Sequence, residues 1–195
     1  MNRLSAFIFT FIFVLTVQNG LFAQKLIQNE GFFNIPVSQG RAILMKEIPL
    51  AYPGETQANY NRLKTWVKDN YTTDLLNSGI KYDNQADAVY VKSRVDLLLP
   101  LLNSGELEAK AVMRYKMDMF IEKGKCVVLI SDISYKMQNT TPKLTQPVKA
   151  EDFVVEDVVY ISNQYTKQKI ETRKGTLYFF NNLVKDLETA LNPPA

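Results

Sequence analysis

The amino-acid sequence predicts an α+β domain: an antiparallel sheet in the order β-α-β-β-β-β-α, with the helices on one face. Three observations lead there. Ala88–Leu97 and Val112–Glu122 alternate apolar and polar residues with period two, the mark of strands with one buried face. Tyr60–Tyr71 and Leu177–Leu191 repeat apolar residues every three or four positions, which lines one face of a helix. Strands grouped between two helices suit helices laid on one side of an antiparallel sheet.

In chain order, Ile43–Leu50 reads as a first strand, closed by Pro49 and the Pro53-Gly54 turn. The following helix carries Tyr60, Leu63, Val67 and Tyr71 on one face, with Trp66 beside them and Asn61, Lys64, Lys68 and Asp69 opposite. Ile80–Tyr82 is a short strand and Asp83–Asp87 a turn. The next strand puts Val89, Val91, Val95 and Leu97 on one face and Tyr90, Lys92, Arg94 and Asp96 on the other. In Val112–Glu122, Met113, Tyr115, Met117, Met119 and Ile121 share a face. Arg114, Lys116, Asp118 and Glu122 share the other, with Phe120 among them.

Cys126–Tyr135 is the hairpin partner of that strand. A two-residue Lys123-Gly124 loop sets Tyr115 opposite Asp132. A three-residue loop, Glu122-Lys123-Gly124, sets Met119 against Val127, Met117 against Leu129 and Met113 against Ile133. Because register follows the buried face, the three-residue loop is expected. Asn139–Pro147 reads as a linker and Phe153–Ile161 as a strand or an extended packed segment. The last helix spans about 176–191, stopped by Asn192-Pro193-Pro194.

Ahead of this domain, residues 1–23 have the parts of a cleavable secretory signal: Arg3, the apolar run Ala6–Val17, then Gly20 and Leu21-Phe22-Ala23. The run is shorter than the ~20 residues of a spanning helix, and no cysteine follows it to carry a lipid. The expectation is export to the periplasm or beyond, with no transmembrane segment in the mature chain, an extension over 24–42 and one domain over 43–195. The lone Cys126 cannot form an internal disulfide.

The formal charge is +3, of which Arg3 in the leader supplies one, so the total is no footprint for nucleic acid or anionic lipid. Histidine is absent, which removes the commonest general base and zinc ligand and excludes Ser-His-Asp and Cys-His sites. No cofactor is implied.

The stretch Ile43–Met137 resembles the domain-of-unknown-function family 4468. The resemblance rests on Pro53-Gly54, the helix segment Arg62-Leu63-Lys64-Thr65-Trp66-Val67, and the hairpin Tyr115–Asp132 around Glu122-Lys123-Gly124-Lys125. It covers about half the chain and implies a TATA-binding-protein-like fold and an export signal, with no assigned activity. Val91-Lys92-Ser93, where the family often has a glycine, and the Leu98–Leu102 run depart from its pattern. A fold name implies nothing about DNA binding.

The readings of function follow from three groups of residues. Leu98, Leu99, Leu101 and Leu102 continue past the end of strand alternation, a candidate interaction surface for an envelope protein; the alternative folds the run back onto the domain. Met113, Met117, Met119 and Phe180 are a candidate pocket for a small apolar ligand between sheet and last helix, or else ordinary core. Glu151, Asp152, Glu156 and Asp157 supply carboxylates for a hydrolase or a cation, or else a solvated edge. The expected function is a non-enzymatic binding or protein-interaction module. A carrier of an apolar ligand is the alternative, and a carboxylate hydrolase stands last.

Overall fold

The computed structural model describes residues 31–72, 77–99, 110–138, 146–161 and 165–194. Contacts divide the chain into Met1–Gly31 and Phe32–Ala195, and every described element belongs to the second unit. In order these are β1 (Val37–Ser38), β2 (Arg41–Ala42), β3 (Leu44–Pro49), α1 (Thr56–Tyr71), β4 (Ser78–Asp83), β5 (Ala88–Leu98), β6 (Lys110–Glu122), β7 (Lys125–Gln138), β8 (Val148–Lys149), α2 (Ala150–Phe153), α3 (Glu156–Ile161) and α4 (Thr166–Leu191). The α+β class and the antiparallel sheet stand as the sequence predicts.

The sheet order is β3-β7-β6-β5-β4, every pair antiparallel. β8 continues the β3 edge of β7, pairing Val148 with Tyr135 and Lys149 with Ser134. β1 and β2 are a hairpin turned through Gln39 (φ 51°) and Gly40 (φ 74°), the two left-handed residues that a tight hairpin loop favours.

Alternation decides which side is buried. Met113, Met117 and Met119 of β6, Val89 and Val91 of β5, and Cys126, Val128 and Ile130 of β7 are all fully buried. α1 and α4 cover this face. Tyr71 of α1 shares a 3.0 Å hydrogen bond with Tyr115 of β6. The Phe180 ring of α4 meets the same tyrosine edge-on at 5.1 Å. The two helices are joined by Trp66 Nε1, which donates to Asp186 Oδ2 at 2.7 Å. Asn192, at the end of α4, ties back to β3: its amide nitrogen donates to the Pro49 carbonyl and its oxygen accepts from the Ala51 N–H.

Three expectations are corrected. The β6–β7 loop has two residues, because Glu122 pairs with Lys125 and Ile121 with Cys126. Gly124 takes φ 80° as its second residue. Met119 therefore faces Val128 and Met117 faces Ile130. The reason lies further along. β7 spends three residue steps, Ser131 to Ser134, where β6 spends two, Arg114 to Lys116. Asp132, at φ 51°, is the extra residue of this bulge. The buried positions of β7 are thus Cys126, Val128 and Ile130 before the bulge and Ile133, Tyr135 and Met137 after it. An unbroken strand fitted to Ile133 puts its first half on the wrong face.

Phe153–Ile161 is not a strand: it forms the end of α2 and all of α3. Glu156 and Asp157 occupy the first turn of α3, where carboxylates favour a helix, and Phe153, Val154 and Val159 face inward. α4 begins at Thr166, ten residues before the expected start at 176. Its buried stripe runs Lys169, Thr172, Thr176, Phe180, Val184, Leu187 and Leu191, and the polar first half hid the period. Tyr135 and Thr176 share a 2.9 Å hydrogen bond, and Thr176 donates on to the Thr172 backbone carbonyl, which satisfies these two hydroxyls inside the core, whereas the buried Thr172 hydroxyl has no partner among the described residues.

Candidate functional site

The face of the sheet opposite α1 and α4 carries no described helix. Its residues lie in rows that the strand register defines. In one row Ser131 of β7 pairs with Lys116 of β6, which pairs with Lys92 of β5, which pairs with Gly79 of β4. In the next, Ser134 pairs with Arg114, which pairs with Arg94. Four cations thus occupy adjacent positions, two cross-strand pairs of like charge. Directly opposed like charges weaken a sheet, so the sequence holds an unfavourable arrangement at its centre.

These side chains ring a concavity of about 540 Å3 whose wall also includes Asn77, Ser78, Ser93, Asp132 and Ser134. A second hollow of about 190 Å3 continues past Arg94 and Arg114 to Lys136. Lys116 forms an ion pair with Asp132 at the bulge. Lys92, Arg94 and Arg114 have no ion-pair partner among the described residues. The hydrogen bond from Lys116 holds the Asp132 carboxyl below its ordinary value, against partial burial, and the charges of Lys116, Arg41 and Lys92 act in the same direction. One carboxylate therefore answers several cations. Guanidinium and ammonium donors flanked by serine hydroxyls suit oxygen atoms that carry negative charge.

The same face changes character toward the β6–β7 loop. Met45, Leu129, Asp118, Tyr90 and Lys81 form the row beside the cations, and Glu47, Val127, Phe120, Ala88 and Asp83 the row beyond. Tyr90 and Phe120 meet edge-to-face with centroids 5.9 Å apart. Burial raises the Asp118 carboxyl above its ordinary value; Lys116 opposes this and Asp132 adds to it.

The residues singled out from sequence lie elsewhere. Leu99 is 3% exposed and Leu97 is 5%, so the leucine run turns inward at both positions, and Leu99 approaches the backbone of α4 at Gly175. The Leu98 side chain, Leu101 and Leu102 lie outside the described residues. Met113, Met117, Met119 and Phe180 are each 0% exposed within the continuous core. Of the acidic group, Glu151 accepts from the Ala42 N–H at 2.7 Å and Glu156 pairs with Arg173 at 3.5 Å. Both make structural contacts. A groove of about 610 Å3 between α1 and α4 includes Trp66, Asp186 and Arg62, but Arg62 is already bound to Asn59 and Glu55.

In the sequence, Lys92, Arg94, Arg114 and Lys116 read only as the polar faces of two strands. The signal was present: both strands place two cations at alternate positions, 92 and 94, 114 and 116. Only the register shows that the pairs stand side by side.

No family model matches the chain, and no curated protein matches it. Two solved structures share its fold. One is a TBP-like protein from Parabacteroides distasonis ATCC 8503, with a TM-score of 0.69 and 22% identity over 83% of this chain and 99% of that one. The other is a DUF4468 family protein from Bacteroides ovatus ATCC 8483, with a TM-score of 0.68 and 17% identity over 84% of this chain and 94% of that one. The resemblance drawn from the hairpin and the Trp66 helix thus agrees with the similarity of fold.

Proposed function

We propose that this TATA-binding-protein-like domain is an exported, non-enzymatic binding module that takes an anionic ligand on the open face of its sheet. Export rests on the leader-like residues 1–23. The observation that supports the binding face is the quartet Lys92, Lys116, Arg94 and Arg114, set as two opposed like-charged pairs around the 540 Å3 concavity. Such pairing lowers the stability of the sheet and is relieved when an anion sits among the charges. The ligand bears phosphate, sulfate or carboxylate oxygens, which arginine grips in pairs and lysine attracts as a point charge.

Inorganic phosphate is the simplest probe. At constant ionic strength, rising phosphate lifts the melting temperature of the wild-type protein by mass action. The lift is lost in Arg94→Gln/Arg114→Gln. An equal lift in both proteins would show that phosphate acts elsewhere or through general salt effects.

A further inference from the structure

We infer that the ligand of this face is an amphiphile, with its anionic head among the four cations and its apolar body on the adjoining rows. The inference rests on the anion reading above and adds the chemistry of the rest of the molecule. The open face of an antiparallel sheet is ordinarily polar and solvated. Here the row next to the cations places Met45 beside Leu129, and the row beyond places Val127 beside Phe120. Met45 is 58% exposed. Leu129, Phe120, Val127 and Tyr90 are only half-buried. Rows on one face are two residues apart along the strand, about 7 Å, so the Leu129 row lies one step from Lys116 and two steps, about 14 Å, from Arg114, a span that one extended amphiphile covers.

Charge fixes the occupant. The four cations demand an anionic group at one end, whereas the apolar rows carry a single cation, Lys81 at their β4 end, which lies over the Tyr90 ring at 5.6 Å. Asp118, Glu47 and Asp83 stand within or at the edge of the apolar rows. These carboxylates oppose a flat anionic bilayer laid over the whole face, whereas a narrow tail passes between them. A discrete amphiphile fits where a membrane surface does not.

The test compares octyl phosphate, inorganic phosphate and octyl glucoside, all below micelle-forming concentrations, by calorimetry on the purified protein. A methylene removed from water strengthens binding about fourfold, so partial cover of the tail gives octyl phosphate about a tenfold to hundredfold advantage over phosphate. Met45→Thr/Leu129→Thr removes that advantage and leaves phosphate affinity unchanged. Met45→Thr alone, at an exposed position, reduces it in a protein whose fold is not at risk. Equal affinities for octyl phosphate and phosphate would overturn the amphiphile and leave the anion reading standing. An octyl phosphate advantage that survives the double variant would also overturn it. Binding of neither phosphate nor octyl phosphate would remove both readings. Sedimentation with anionic vesicles, uncompeted by octyl phosphate, would replace the small ligand by a membrane surface.

Discussion

Arg94→Gln removes one cation from the centre of the open face and leaves the strand and its backbone hydrogen bonds in place. Arg94 stands directly across from Arg114, and Lys92 across from Lys116. Relief of one opposed like-charged pair is worth about 0.2–1 kcal/mol, at the lower end in salt because these side chains are exposed. For a domain of this size that raises the melting temperature by about 1–3 °C. Anion binding moves the opposite way. A hydrogen bond from a charged donor is worth about 1.5–3 kcal/mol, so phosphate affinity falls about tenfold to hundredfold. Thermal unfolding with and without phosphate, together with calorimetric titration at low salt, reads both effects on one variant. A protein that becomes more stable while binding less tightly holds its cations for a ligand. A lower melting temperature with unchanged affinity would show that Arg94 serves the fold, and the reasoning would be wrong.

Other expectations follow from the same contacts. Asp132→Asn keeps a residue that tolerates the left-handed bulge and removes the one carboxylate paired to the quartet, so phosphate binds severalfold tighter in titration. The same substitution acts on acid stability. The depressed carboxyl of Asp132 contributes stability that is present above the ordinary aspartate value and lost as the pH falls through the folded one. The variant should lose that part of its acid sensitivity in denaturation curves read against pH, and an unaltered acid limb would count against the ion pair. Leu99→Ala costs about 2–4 kcal/mol, a fall of roughly 5–10 °C in melting temperature, because the side chain is buried against α4; a change within about 0.5 kcal/mol would mean it is exposed. Burial pushes the Cys126 thiol up to about 12, with Glu122 adding to the effect. Thiol reagents at pH 8 should therefore label the protein only after unfolding in guanidinium, and prompt labelling of the native protein would contradict its placement in the core.

The sheet was legible where one face of each strand is cleanly apolar. Odd positions of β5 and β6 read as core because their even neighbours are mostly charged, and the structure buries most of them, with Val95 partly buried against the core. β7 was not legible in that way. Cys126, Val127, Val128, Leu129 and Ile130 are apolar without a break, so alternation cannot choose a face, and the bulge at Asp132 reverses whatever choice is made. The consequence reached the site: a register fitted to Ile133 puts Val127 and Leu129 in the core, when they belong to the open face. α4 was read only from its apolar half, because Lys169, Thr172 and Thr176 occupy core positions with polar side chains. The short helices α2 and α3 show no period long enough to recognise. Overall charge balance concealed the quartet for a simpler reason. A sum over the chain contains no positions, and the clustering arises only when β5 and β6 pair with Lys92 against Lys116 and Arg94 against Arg114.

The anionic ligand face is tested most directly by following backbone amide resonances while phosphate is titrated at constant ionic strength. The shifts should be confined to Lys92–Arg94, Arg114–Lys116 and Ser131–Ser134, and should disappear in Arg94→Gln/Arg114→Gln. Shifts centred instead on Trp66 and Asp186 between α1 and α4, or none at all up to high phosphate, would contradict the account.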